Sequence, residues 1–180
     1  MTRGVAGDPR LVVEELAALF EHYDPEPGER LAEAILGARR VLPAGQGRSG
    51  LVAAAFAVRL GHLGVETHLV GEATAPAAGP GDLVVALSRS GSTVITLHQA
   101  QRAAAAGARV AAVGADAGSP LLLAADVPVV LPLAAVRSAQ HAGSLFEQAA
   151  LVVLDALCAR LQATLGRTDA ELAARHDNLQ

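Results

Sequence analysis

Cysteine occurs once in these 180 residues, tryptophan not at all, tyrosine once and phenylalanine three times. A lone Cys158 cannot close an intrachain disulfide, which fits a reducing compartment. Its setting, Leu157-Cys158-Ala159, reads as a small core thiol rather than a nucleophile. So few aromatic rings leave little on which nucleic-acid bases could stack. The formal charge of -4, with both signs interspersed, supplies no basic stripe for a phosphate backbone, so an anionic ligand must be held locally. No stretch reaches the ~18 uninterrupted apolar residues of a membrane span, and Met1 to Pro9 carries no signal-peptide core. His22, His68, His98, His141 and His176 share no tight ligand spacing, so no metal site is expected. The expectation is a cytoplasmic protein with neither nucleic acid nor membrane as partner.

What is abundant is small and aliphatic. The hydrophobic fraction of 52% is drawn from Ala, Val and Leu, enough to fill one core, so residues 1–180 are expected to form a single domain. Apolar residues recur at helical spacing through Val12, Leu16, Leu19 and Phe20, and again at Leu31 and Ile35, with Asp24-Pro25-Glu26-Pro27-Gly28 between them. This predicts a helical segment over 1–39. An α/β core over 40–165 and a tail helix within 166–180 follow it. Strands are predicted at 40–44, 66–70, 82–87, 108–113 and 127–131, and helices at 48–62, 93–106, 143–164 and 168–176. The strand runs are apolar without strict alternation, as strands covered on both faces are. The fold class is therefore α/β, a three-layer α/β/α sandwich around a five-stranded parallel sheet.

Ligands of such sheets sit beyond the carboxyl ends of the strands, among loops that open helices. Gly45-Gln46-Gly47-Arg48-Ser49-Gly50 is one such loop; its glycines let backbone amides approach an anion, and Arg48 and Ser49 add a charge and a hydroxyl. The same glycines also fit a dinucleotide turn, with Glu72 about where a ribose-binding acid belongs. A second loop, Ser88-Arg89-Ser90-Gly91-Ser92-Thr93, gathers more hydroxyls than helix capping requires. Two hydroxyl-rich loops at one sheet edge favour a phosphate-bearing ligand, because a dinucleotide has no need of the second.

Proton transfer requires a titratable group near that edge. Glu147, in Gly143-Ser144-Leu145-Phe146-Glu147, opens a long apolar helix, where a carboxylate could act as a base or, at the Ser-x-x-Glu spacing from Ser144, simply complete a capping box. His62 closes the helix after the first loop, a position where histidine is also electrostatically welcome without any further role.

Taken together, several stretches resemble the 6-phospho-3-hexuloisomerases, a branch of the SIS-domain (sugar isomerase) superfamily. They are Gly45 to Leu51, Phe56 to Gly64, Val70-Gly71-Glu72, Gly81-Asp82-Leu83, Gly143 to Gln148 and Arg175-His176-Asp177-Asn178-Leu179. The resemblance implies a flavodoxin-like SIS fold, a homotetramer, and no organic cofactor or metal. It also implies interconversion of D-arabino-3-hexulose 6-phosphate and D-fructose 6-phosphate through a cis-enediolate, in formaldehyde fixation by the ribulose monophosphate route. Carried over, it makes Glu147 the base and gives His62 a role at the sugar oxygens, either in its own chain or in a neighbour's site. Phosphate falls to Gly47, Arg48, Ser49, Ser88, Ser90 and Thr93.

The second loop departs from the family pattern Ser-Gly-Ser-Gly-Glu/Lys-Thr: Arg89 replaces a glycine and Ser92 a charged residue, while His141 stands where proline is usual. These departures keep two other readings open, an SIS isomerase of another sugar phosphate such as arabinose 5-phosphate, and a sugar-phosphate-sensing module without turnover.

Overall fold

A computed structural model describes residues 8–176; Asp177, Asn178 and Leu179 of the closing motif lie outside them. Asp8 accepts a hydrogen bond from the Arg10 amide and, with Pro9 in the first turn, starts helix α1 (Pro9–Phe20). The proline-rich turn leads into α2 (Glu26–Leu36). Strand β1 (Arg40–Gly45) and helix α3 (Gly47–Leu63) follow, then β2 (Asp82–Leu87), α4 (Val94–Ala105), β3 (Arg109–Gly114), the short α5 (Pro120–Leu123), β4 (Val127–Val130), the long α6 (Ser144–Thr164) and α7 (Asp169–Ala173). All strands pair in parallel in the order β1-β2-β3-β4.

Period-two alternation divides the strands between two cores. Val41, Leu83, Val85, Leu87, Val113 and Val129 face α2, α3 and α6, where Leu31, Phe56 and Phe146 pack. On the opposite face Ala44, Ala86 and Ala112 meet Ala100 and Ala103 of α4 and Leu121 of α5. Small residues on both sides let α4 lie close to the sheet, so few large rings are needed. The three layers expected from the sequence are present.

The sheet has four strands where five were expected. Residues 66–70 do run beside β1: Val41 N–H donates to Glu66 O (2.9 Å), and Val41 O and Pro43 O accept from His68 N–H (3.2 Å) and Val70 N–H (2.9 Å). Only an isolated bridge, Val41 to Thr67, results. Pro43 has no N–H to donate, so the rung that would complete the ladder cannot form. The four-residue α5 and a 3-10 turn at Leu133–Ala135 were not anticipated either.

At the amino edge of the sheet, the Asp82 side chain is fully enclosed. It accepts hydrogen bonds from Arg39 Nε (3.2 Å) and Nη2 (3.1 Å), Arg40 Nε (3.1 Å) and Nη2 (2.8 Å), and Gly79 N–H (3.0 Å). The Arg40 guanidinium, against the upward push of burial, holds the Asp82 carboxyl below its ordinary value, with Gly79 and Arg39 adding to the effect. Asp82→Ala is expected to lower stability at neutral pH by about 3 kcal/mol, since it strands the largely enclosed Arg40 guanidinium, while the exposed Arg39 can turn to solvent. Because the folded-state value lies below the unfolded one, this stabilisation is complete above the ordinary carboxylate range and is lost as pH falls through the folded value. Urea unfolding should therefore show the gap between the two proteins narrowing as pH falls into that acid range.

Candidate active site

Gly45 pairs with Leu87 across β1 and β2, so the loops leaving these strands lie side by side at the carboxyl edge. The first loop is very tight. A Cβ on Gly45 would stand 2.9 Å from Ser49 O, and one on Gly50 would stand 2.9 Å from Gly45 O. That mutual contact explains both glycines without a dinucleotide. Glu72, the acid a dinucleotide would use, lies exposed and lines a cleft of about 450 Å³ with His98 and Arg102 beside α4. Gly47 adopts φ +56 with open space where a Cβ would be. Gln46 gives no side-chain cap to α3, so first-turn amides there are not taken up by a capping side chain.

The second loop is organised by its own hydroxyls. Buried Ser88 accepts a hydrogen bond from Gly91 N–H (3.1 Å), and its Oγ lies 3.0 Å from Thr93 Oγ1. Exposed Ser90 accepts from the amide (3.3 Å) and hydroxyl (3.1 Å) of Ser92. Thr93 is the N-cap residue of α4, yet its side chain makes no capping bond. Capping therefore does not account for these hydroxyls, and the α4 N-terminus opens onto the cluster with anion-binding polarity.

Glu147 belongs to the same edge. The capping box expected from Ser144 and Glu147 is absent: Gly143 at φ +97 is the N-cap residue, and it receives no side-chain cap. The Glu147 carboxylate instead accepts a 2.7 Å hydrogen bond from Arg48 Nε, closing an ion pair between residues 99 positions apart. The Glu147 side chain is only 14% exposed while that of Arg48 is 64% exposed. A largely enclosed carboxylate thus meets a cation supplied by the first loop, and Ser49 sits half-buried next to Arg48 in the first turn of α3.

His62 lies elsewhere. It ends the helix that Arg48 begins, and fourteen residues at the helical rise put about 21 Å between them. Its ring lies tilted against that of His176, with centroids 3.9 Å apart, and its buried Nδ1 has no hydrogen-bond partner among the described residues. Burial, then the positive charge of His176 and Arg59, depresses its basicity. Arg89 lines a cavity of about 320 Å³ with Ser138, Gln140, His141 and Gly143, so two of the three departures from the family pattern, Arg89 and His141, share one wall. In the sequence Gly143 stands out only as part of the Gly143 to Gln148 motif. Its role needs the geometry: a Cβ there would lie 3.2 Å from Glu147 Oε1. Among the described residues no group of three or more His, Cys, Asp or Glu is placed to hold a metal, and no helix is long and apolar enough to cross a membrane.

A parallel sheet with two glycine- and hydroxyl-bearing loops and a carboxylate at one edge is an α/β domain suited to a phosphate-bearing ligand, and comparison with known proteins gives its family. The SIS domain model matches residues 34–160. The 3-hexulose-6-phosphate isomerase of Mycobacterium gastri is 41% identical over 94% of this chain and 88% of its own length. Its Bacillus subtilis counterpart is 34% identical over 94% and 95%. A hypothetical protein from Methanococcus jannaschii, whose crystal structure was taken to imply 3-hexulose-6-phosphate isomerase function, superposes with a TM-score of 0.85 at 30% identity, covering 96% of this chain and 99% of that one. The chain belongs to the SIS-domain family of isomerases, on its 3-hexulose-6-phosphate isomerase branch.

Gly143→Ala should place a side chain in the left-handed region and against the Glu147 carboxylate. A loss of about 1–2 kcal/mol is expected from the backbone alone. Thermal unfolding would measure it, and a crystal structure of the variant should show the Arg48–Glu147 contact lengthened.

Proposed function

We propose that this chain interconverts D-arabino-3-hexulose 6-phosphate and D-fructose 6-phosphate. The observation that carries the proposal is the Glu147 carboxylate, free of capping duty and paired at 2.7 Å with an arginine of the phosphate loop, in a member of this family. In the forward direction the carbonyl moves from C3 to C2. Glu147 removes the proton on C2, the electrons flow toward O3 to give a cis-enediolate, and the same proton is returned to C3. The O2 hydroxyl proton must leave as O3 gains one, which calls for a second titratable group near both oxygens.

Phosphate binds across Gly47, Arg48, Ser49, Ser88, Ser90 and Thr93, where amides at two helix N-termini and several hydroxyls meet a cation. His62 serves the sugar oxygens of another copy's site within a homotetramer, because its own chain keeps it a helix length from Glu147. The reaction follows one that joins formaldehyde to ribulose 5-phosphate.

Coupling formaldehyde and ribulose 5-phosphate through an added hexulose-phosphate synthase tests this reading. Fructose 6-phosphate should form only when this protein is present. Its absence, with sugar phosphates still bound, would leave a sensor or an isomerase of another substrate. Glu147→Gln is expected to cut kcat by roughly 10²–10⁴-fold while leaving fructose 6-phosphate binding nearly intact, since the amides and hydroxyls of the anion loops are unchanged and the glutamine oxygen can still accept from Arg48. Calorimetry should in turn show Ser88→Ala with Ser90→Ala weakening that binding, each lost charge-assisted hydrogen bond costing about 1.5–3 kcal/mol. Unchanged affinity in the double variant would move the phosphate elsewhere.

A further inference from the structure

Glu15 is a buried carboxylate that neither the sheet nor the proposed chemistry requires. It lies on α1, is 6% exposed, and points its carboxylate at the connection from β4 to α6. Three consecutive residues of that connection donate to it: the Ser138 hydroxyl at 2.6 Å, the Ala139 amide at 2.7 Å and the Gln140 side-chain amide at 2.9 Å. The Gln140 side-chain oxygen, Oε1, then accepts from Gln148 Nε2 at 2.9 Å, and Ser138 Oγ accepts from the Gln140 backbone amide at 3.1 Å. Burial pushes the Glu15 carboxyl upward, but the Ala139 amide with Ser138 and Gln140 outweighs it, leaving the group below its ordinary value and ionised.

An enclosed anion is costly unless its oxygens are fully engaged. Here they are engaged by a segment that is itself mostly at the surface: Ser138 and Ala139 are exposed and the segment belongs to no strand or α-helix. Without an anchor, such a segment is ordinarily among the least rigid parts of a fold. Its downstream end matters most, for three residues after Gln140 comes Gly143, where an added Cβ would lie 3.2 Å from Glu147 Oε1. Gln148, where the relay ends, adjoins Glu147 in the first turns of α6.

We propose that Glu15 is a positioning residue for the isomerisation: through Ser138, Ala139, Gln140 and Gln148 it fixes the lead-in to α6 and thereby the placing of the Glu147 carboxylate. Arg48 holds that carboxylate from the side of the phosphate loop, and the Glu15 relay holds the backbone that carries it. The inference rests on the isomerase reading for its kinetic consequence, though not for its structural one.

Three variants test it, assayed as the full chain for fructose 6-phosphate formation alongside thermal unfolding and amide hydrogen exchange. Glu15→Leu removes the acceptor while keeping bulk. Gln140→Leu breaks the relay without touching α1, and stands in if the first fails to fold. Glu15→Gln keeps a chain of hydrogen bonds, because the amides of residues 15, 140 and 148 can reverse together. The expected result is a fall in kcat of at least about tenfold for both leucine variants with KM within about twofold, since a small misplacement of a catalytic group is costly. Glu15→Gln should stay within about threefold of the parent, a rescue that a purely structural packing role would not give over leucine. Amides of 138–147 should exchange faster in the leucine variants only. Parental kcat in folded Glu15→Leu and Gln140→Leu, or a loss confined to KM, overturns the inference. Should the unaltered protein itself make no fructose 6-phosphate, the isomerase reading fails separately. The exchange data then decide, unaltered protection of 138–147 overturning the anchoring.

Discussion

The Asp82 carboxylate, closed in by Arg39, Arg40 and the Gly79 amide, ties the entry of β2 to the entry of β1. Arg40 and Asp82 are register partners, so the ion pair selects one alignment of two strands that have otherwise similar apolar faces. A slip of one residue would turn Val41, Leu83 and Val85 away from α3 and α6. It would also break the pairing of Gly45 with Leu87 that brings the two loops together five residues further along. The charge cluster lies at the opposite edge of the sheet from the site, yet the site's geometry depends on it. Stability and function thus occupy the two ends of the same strands.

Between those ends the chain chooses small residues where elements must approach. Alanines on α4 and on the strands beneath it bring the helix down to the sheet, and the helix N-terminus comes with it to the Ser88 loop. Buried Gly91 is held against the next connection, where its carbonyl accepts from Leu121 N–H at 3.0 Å. The hydroxyl loop is therefore tied to the next connection as well as to itself. On the proposed reading this sets its donors in place for the phosphate, the condition under which such donors are most effective.

Much of this was legible in the sequence because parallel strands buried on both faces are written as plain apolar runs, and 40–45, 82–87, 109–114 and 127–130 are such runs. The segment 66–70 reads as a strand as well and nearly is one. What sequence patterns could not supply was the side to which Pro43 turns its missing N–H. The loops at 45–50 and 88–93 were recognisable from their glycines and hydroxyls. The partner of Glu147 was not, since Arg48 lies 99 residues away and local spacing offered a capping box instead. Glu15 was invisible for the same reason: its donors are at least 123 residues distant, and on α1 it reads as one more polar residue of an amphipathic helix. Contacts made by topology leave no mark in short-range patterns.

His62 raises a question of distance that side-chain motion cannot answer. An α-helix is a rigid spacer at about 1.5 Å per residue, so α3 holds Arg48 and His62 apart whatever rotamers they adopt. On the proposed reading that separation has an explanation: α3 delivers Arg48 to its own chain's site and His62 to another's. Each site is then assembled from two copies, one giving the phosphate loops and Glu147, the other the imidazole. Dissociation would remove the group that handles the sugar oxygens while leaving the anion loops whole, so binding of a sugar phosphate would outlast turnover.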